Sequence, residues 1–119
     1  MAKARVPSRG DIWLVNFDPT SGAEINKVRP AVVVSVNTIG KLPLRIVVPI
    51  TDWKPQYVNY PWFVELSANA KNGLVKDSGA DAYQTKSLSL NRFVHQLGVV
   101  STAQLDDIAS AIALCVGVP

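Results

Sequence analysis

The sequence predicts a mostly β fold: a small, strongly curved antiparallel sheet capped by a single C-terminal helix. Short runs rich in Val and Ile recur along the chain, separated by Gly, Pro, Asn and Ser-Gly turn signals, as strands in a compact sheet require. Apolar spacing with helical period occurs once, at the C-terminal end. At 119 residues the chain is expected to form one domain, 1–119, with residues 1–8 a loose lead-in. A chain of this length buries roughly two-thirds of its unfolded surface, enough for one core without staples.

Taken in order, Arg9-Gly10-Asp11 reads as a turn leading into a first strand over residues 12–17. An adhesion reading of that tripeptide finds no extracellular signature to support it. The second strand is expected over 31–36, a nearly continuous apolar run that suits a strand covered on both faces. Arg29-Pro30 leads into it, because Pro30 lacks an amide hydrogen and biases Arg29 towards extended backbone. Residues 37–43, with Gly40 and Pro43, read as a hairpin connection. A third strand follows over 44–50, with Thr51-Asp52 at its end. Residues 53–61 read as a loop, 62–66 as a fourth strand and 67–73 as a polar turn. Residues 74–80 are short and broken by Asp77-Ser78-Gly79, a turn signal. The fifth and sixth strands are expected over 82–89 and 93–100. Ser101 and Gln104 then have the spacing of a capping box, and Asp106 and Asp107 lie where a helix dipole favours negative charge. Leu105, Ile108, Ala109, Ile112, Cys115 and Val116 form the expected apolar stripe, and Gly117 ends the helix.

Composition narrows the function classes. One Cys permits no internal disulfide and fits a cytoplasmic protein. No apolar run is long enough to span a membrane, and no signal peptide is expected. The net charge of +3 is uneven. Residues 1–60 carry eight Lys/Arg against four Asp/Glu, and residues 61–119 carry four against five. A basic N-terminal half suits a polyanion, although +3 is ordinary for a small domain. One His, one Cys and scattered carboxylates have no metal-ligand spacing, so neither a metal nor another cofactor is expected. His95 lies in a predicted strand without a nucleophile elbow, which argues against a Ser-His-Asp site. Between the first two strands lies a loop carrying Asp18, Glu24, Lys27 and Arg29, a good place to hold an anion.

Three segments, RGDIWLVNFDP at 9–19, GAEINKVRPAVVVS at 22–35 and PIT at 49–51, occur in this order and spacing. By them the chain resembles the MazF/PemK family of toxin endoribonucleases. The likeness continues more weakly through Gln84-Thr85-Lys86-Ser87 to the C-terminal helix. The resemblance implies the SH3-like barrel of the MazF/CcdB type. It also implies metal-independent, sequence-specific cleavage of single-stranded RNA, leaving a 2′,3′-cyclic phosphate and a 5′-hydroxyl. A homodimer and a cognate antitoxin with an acidic, partly disordered segment are the partners it implies.

Such cleavage requires an aligned and deprotonated 2′-hydroxyl, a protonated leaving oxygen and stabilised phosphoryl charge. The resemblance gives Arg29 and Thr51 the family's catalytic positions, and Glu24 an acidic loop position suited to taking the proton. The plain structural alternatives are a surface ion pair from Arg29 to Asp18 or Glu24, and a strand-end turn role for Thr51. RNA contacts are expected from Lys27, Trp53, Lys54, Tyr57, Tyr60, Gln84 and Lys86. The aromatic rings of 53–61 suit base stacking, or else pack the loop or a dimer contact. Lengthening around 76–81 sets the chain apart from shorter family members. Two other functions compete: a non-enzymatic, CcdB-like toxin that binds a topoisomerase, and a plain RNA-binding barrel.

Overall fold

The computed structural model describes residues 5–39 and 42–119. Its strands are β1 (Asp11–Asn16), β2 (Val28–Val33), β3 (Leu44–Asp52), β4 (Phe63–Leu66), β5 (Ser78–Asp81), β6 (Lys86–Ser89) and β7 (Phe93–Val99); one helix, α1 (Thr102–Cys115), follows. The strands form one antiparallel sheet in the order β4-β5-β3-β2-β1-β7, with β6 also paired to β3.

Strands β5 and β6 lie on the same edge of β3, opposite β2. Ile50 pairs with Ala80 and Val47 with Lys86. Between those pairs β3 advances three residues and the other chain six, and the excess is thrown out as a 3-10 turn, Ala82–Gln84. This corrects two expectations. Residues 82–89 are not one strand, and Ser78-Gly79 is not a turn but part of a strand within the 76–81 stretch. The physical reason is packing. A Cβ at Gly79 would stand 2.9 Å from Phe63 Cδ1 and 3.1 Å from Trp53 Cε3. Gly79 makes room for two aromatic rings.

Strand β2 also begins earlier than expected, at Val28, so that Arg29 is a strand residue paired with Val15 rather than a loop residue. The lead-in is less loose than expected at its end. Pro7 is buried and its carbonyl accepts from Arg45 Nε at 2.8 Å. Residues 1–4 of that expectation, and 40–41 of the hairpin connection, lie outside the described residues. Asp11 is buried and accepts from Trp13 Nε1 and the Ser8 amide, a structural role that leaves no adhesive tripeptide on display.

Pleating sends alternate side chains to opposite faces, and both faces are apolar. Ile12, Val32, Val34, Val48, Ile50, Leu66 and Ala80 form one cluster with Ile108 of α1. Trp13, Val15, Phe17, Ala31, Val33, Val47 and Leu88 form the other. Residues from the first and the last strands of the sheet order share the first cluster, with Leu66 from β4 and Leu97 of β7 packed against it. The sheet therefore curls around that core. Its two end strands, β4 and β7, are not ladder partners. The seam is instead held by the loop after β4: Val99 N donates to Lys71 O at 2.9 Å. Gly98 is needed there, since a Cβ would meet Lys71 O at 2.2 Å.

The capping box is present in full: Ser101 Oγ accepts from Gln104 N at 3.1 Å and Gln104 Oε1 from Ser101 N at 3.0 Å. At the other end Gly117 has φ +77, with Val118 N bonded to Ala113 O and Gly117 N to Leu114 O, a Schellman closure. The buried stripe is centred on Ile108 and Ala111, flanked by Leu105 and Ile112; Val116, expected inside, is exposed.

Candidate active site

Among the described residues no α-helix covers the face opposite α1. A loop, residues 17–27, covers part of it. The loop is closed at its base: Phe17 N donates to Lys27 O at 2.8 Å, and Lys27 N to Asp18 Oδ1 at 3.0 Å. Lys27 takes the left-handed conformation, φ 66, so the chain reverses there, with the Asp18 carboxylate capping its amide. Arg92 Nη1 donates to the Asp18 carbonyl from the β6–β7 turn. Ile25 packs its side chain onto the apolar cluster below.

Between this loop and the Ala82–Gln84 turn lies a groove of about 400 Å³, lined by Phe17, Ala23, Glu24, Ile25, Pro49, Tyr83, Gln84, Thr85 and Lys86. Glu24 is held from two sides. Its Oε1 accepts from Ser21 N at 2.7 Å, and its Oε2 lies 3.8 Å from Lys86 Nζ. Gln84 reaches the loop backbone with both ends of its amide: Oε1 accepts from Ile25 N at 2.6 Å and Nε2 donates to Ala23 O at 3.3 Å.

Arg29 and Thr51 do not line the groove, but the register brings them to its edge. Ala31 pairs with Pro49 in the β2–β3 ladder. Continuing that register two residues puts Arg29 opposite Thr51, with both side chains on the face that carries Pro49. Arg29 Nε donates to Asn26 O at 2.9 Å. Among the described residues its two terminal nitrogens have no protein partner, and the ion pair to Asp18 or Glu24 offered by the structural alternative is absent. Thr51 is half-buried and its backbone pairs with Gly79.

The aromatic residues of 53–61 form a stack beyond Thr51. Tyr57 lies against Phe63 with ring centroids 3.9 Å apart, and Tyr60 against Trp62 at 4.9 Å; Trp53 meets Tyr57 edge-on. One face of each tyrosine ring is thus occupied within the chain. Lys54 and Lys27 are exposed. Sequence reasoning missed Tyr83, 71% exposed at the groove mouth, and Phe17, Pro49 and Thr85 in its lining. Tyr83 edges onto Trp62 at 6.1 Å and so links groove and stack.

Beneath the Ala82–Gln84 turn Asp81 is buried, its Oδ1 accepting from Tyr83 N at 3.1 Å. Burial pushes its carboxyl above the ordinary value, against the opposing pull of the Tyr83 amide and of Gln84. Cys115 of α1 is raised as well, by burial and then by the negative charge of Asp81. No cluster of His, Cys, Asp or Glu suited to a metal ion occurs among the described residues.

Fold and groove together define a small curved-sheet β domain with an acid, a lysine and an arginine gathered on its helix-free face. The chain belongs to the PemK-like, MazF-like toxin family of type II toxin–antitoxin systems, whose family model matches residues 8–116. It is 38% identical over 112 residues to endoribonuclease MazF9 of Mycobacterium tuberculosis, covering 89% of this chain and 92% of that protein. Among solved structures, MazF of Deinococcus radiodurans superposes with a TM-score of 0.78 at 26% identity, covering 96% of this chain and 99% of that one. A MazE–MazF structure from the same organism matches with a TM-score of 0.74 at 26% identity, covering 98% and 100%.

Proposed function

We propose that this protein is the toxin of a type II toxin–antitoxin pair, an endoribonuclease that cuts single-stranded RNA in the cytoplasm without a metal. Membership of a toxin family, together with a relative named as an endoribonuclease over 89% of the chain, carries the activity. The β2–β3 register supports the site: continued two residues past Ala31–Pro49, it would bring Arg29 and Thr51 to facing positions next to the Pro49 that lines the groove holding Glu24.

In this reading Glu24 takes the proton of a 2′-hydroxyl. The freed oxygen attacks the adjacent phosphorus, the bond to the 5′ oxygen breaks, and that oxygen takes a proton from solvent. The products are a 2′,3′-cyclic phosphate and a 5′-hydroxyl. Arg29, a planar fork that stays charged, and the Thr51 hydroxyl stabilise charge as it builds on the phosphoryl oxygens. Lys27, Lys54 and Lys86 are assigned to the RNA backbone, and Tyr60 and Trp53 to the path of the unpaired bases. The family description implies an antitoxin, and an acidic segment that folds on binding suits this basic face. A homodimer, which would double the positive field along the RNA, completes the proposal.

Purified protein incubated with a long transcript in EDTA is the test. Discrete cuts ending in 2′,3′-cyclic phosphate are expected. RNA that is bound but left intact would leave a binding module, and cleavage that needs added magnesium would replace the metal-free mechanism.

A further inference from the structure

The Gln84 side chain lines the groove and sends both its donor and its acceptor to the loop above it. It spans 59 residues of sequence to reach the Ile25 amide and 61 to reach the Ala23 carbonyl. Those two backbone groups flank Glu24. An amide that bonds to the residue before and the residue after an acid fixes the peptide path on both sides of it. The Ser21 amide then fixes the carboxylate itself. Gln84 is in turn fixed from below, because the turn that carries it is closed by Thr85 N and Oγ1 on Ala82 O and by Tyr83 N on the Asp81 carboxylate.

We infer that Gln84 is a positioning residue: it clips the 17–27 loop to the Ala82–Gln84 turn and so holds the Glu24 carboxylate over the groove. This replaces the expectation that Gln84 contacts RNA, since both halves of its amide are already engaged. The inference rests on the reading of Glu24 as the group that takes the proton, and its physical content, the clip, can be measured apart from that reading. A misplacement of about 1 Å in a reacting group costs up to about a hundredfold in rate, so a clip on either side of Glu24 matters to the chemical step and not to the strength of RNA binding.

The experiment uses Gln84→Met, which keeps the length of the side chain and deletes both hydrogen bonds, and Gln84→Glu, which keeps an acceptor for the Ile25 amide. Hydrogen exchange on the RNA-free protein reads the clip directly: exchange over residues 21–27 is expected to speed up in Gln84→Met and less so in Gln84→Glu. In single-turnover cleavage with enzyme in excess, Gln84→Met is expected to be slower by about ten- to a hundredfold, with its RNA Kd within about twofold of the parent. In a Glu24→Gln background the same change is expected to cost little more, because its effect passes through Glu24. Weakened RNA binding with the chemical rate intact at saturation would assign Gln84 to RNA contact and overturn the proposal. Unchanged exchange over 21–27 in folded Gln84→Met would overturn the clip, whatever the activity. If the parent protein does not cut RNA, the exchange result alone decides the clip.

Discussion

The face of the sheet beneath α1 and the face beneath the 17–27 loop are covered by different means. Under the helix, Ile12, Val48, Ile50, Leu66 and Ile108 are all but fully buried, and the helix itself is capped at both ends. On the other face Val15, Phe17, Ala31 and Val47 are equally buried, but the covering is a polar loop held by a few hydrogen bonds and by the apolar side chains of Phe17 and Ile25. A helix satisfies its own backbone and can cover a core closely. A loop leaves polar groups and a groove. The same strands thus supply stability on one side and, in our reading, chemistry on the other, and changes on the two sides should separate into effects on unfolding and effects on cleavage.

The largest separation is expected at Arg29. Losing a preorganised donor to a transition-state oxyanion costs about 10²–10³ in rate, or ~3–4 kcal/mol. Arg29→Ala should lose that much in single-turnover cleavage in EDTA, while its urea midpoint stays near the parent value. Arg29→Lys should also be poor, since Lys keeps the charge without the planar fork. Near-parental cleavage by folded Arg29→Ala would remove the site from this face.

Thr51 should follow at a smaller magnitude, because a hydroxyl offers one donor and no charge where Arg29 offers a charged fork of five donors. Thr51→Val keeps the shape and is expected to lose about ten- to a hundredfold in rate. Thr51→Ser keeps the hydroxyl and should retain more. Equal losses in the two variants would mean that Thr51 acts through packing against Gly79 and its neighbours.

What could be read from the sequence divides along a similar line. The α1 caps were legible because every group in them lies within five residues of its partner. The two-faced burial of β2 was legible in its unbroken apolar run. Strand β5 was not. Ser78-Gly79-Ala80 has no alternation, and Gly79 answers to Trp53 and Phe63, rings that only the fold brings there. The motifs named Glu24, Arg29 and Thr51 as site candidates, but the groove beside them depends on three extra residues in a β3 partner strand. That register break has no local signal, and so Tyr83 and Thr85 went unseen.

On the helix side the expected effects run the other way. Ile108 is fully buried against the sheet. Ile108→Val deletes one methylene from a packed core and should cost ~0.5–1.5 kcal/mol in urea unfolding, with the cleavage rate unchanged at a temperature where both proteins are folded. A rate loss in this folded variant would show that the two faces are coupled through the sheet.

The smallest effect is expected where the two regions meet, at Asp81. This carboxyl lies beneath the groove turn and faces Cys115 of α1, and burial raises it above the ordinary 3.8 despite the Tyr83 amide and Gln84. A raised acid binds its proton more readily in the folded than in the unfolded protein. Its contribution to stability is therefore present in full below the unfolded value and is lost as pH rises through the folded one. Asp81→Asn keeps an oxygen for the Tyr83 amide and cannot ionise. It should be somewhat more stable than the parent at pH 7, and that advantage should shrink as pH is lowered towards 4. Urea midpoints of both proteins at pH 7, 5 and 4 provide the measurement. If the variant is instead weaker at pH 7 and recovers in acid, the amides around Asp81 outweigh its burial, and the turn beneath the groove is held by an ionised carboxylate.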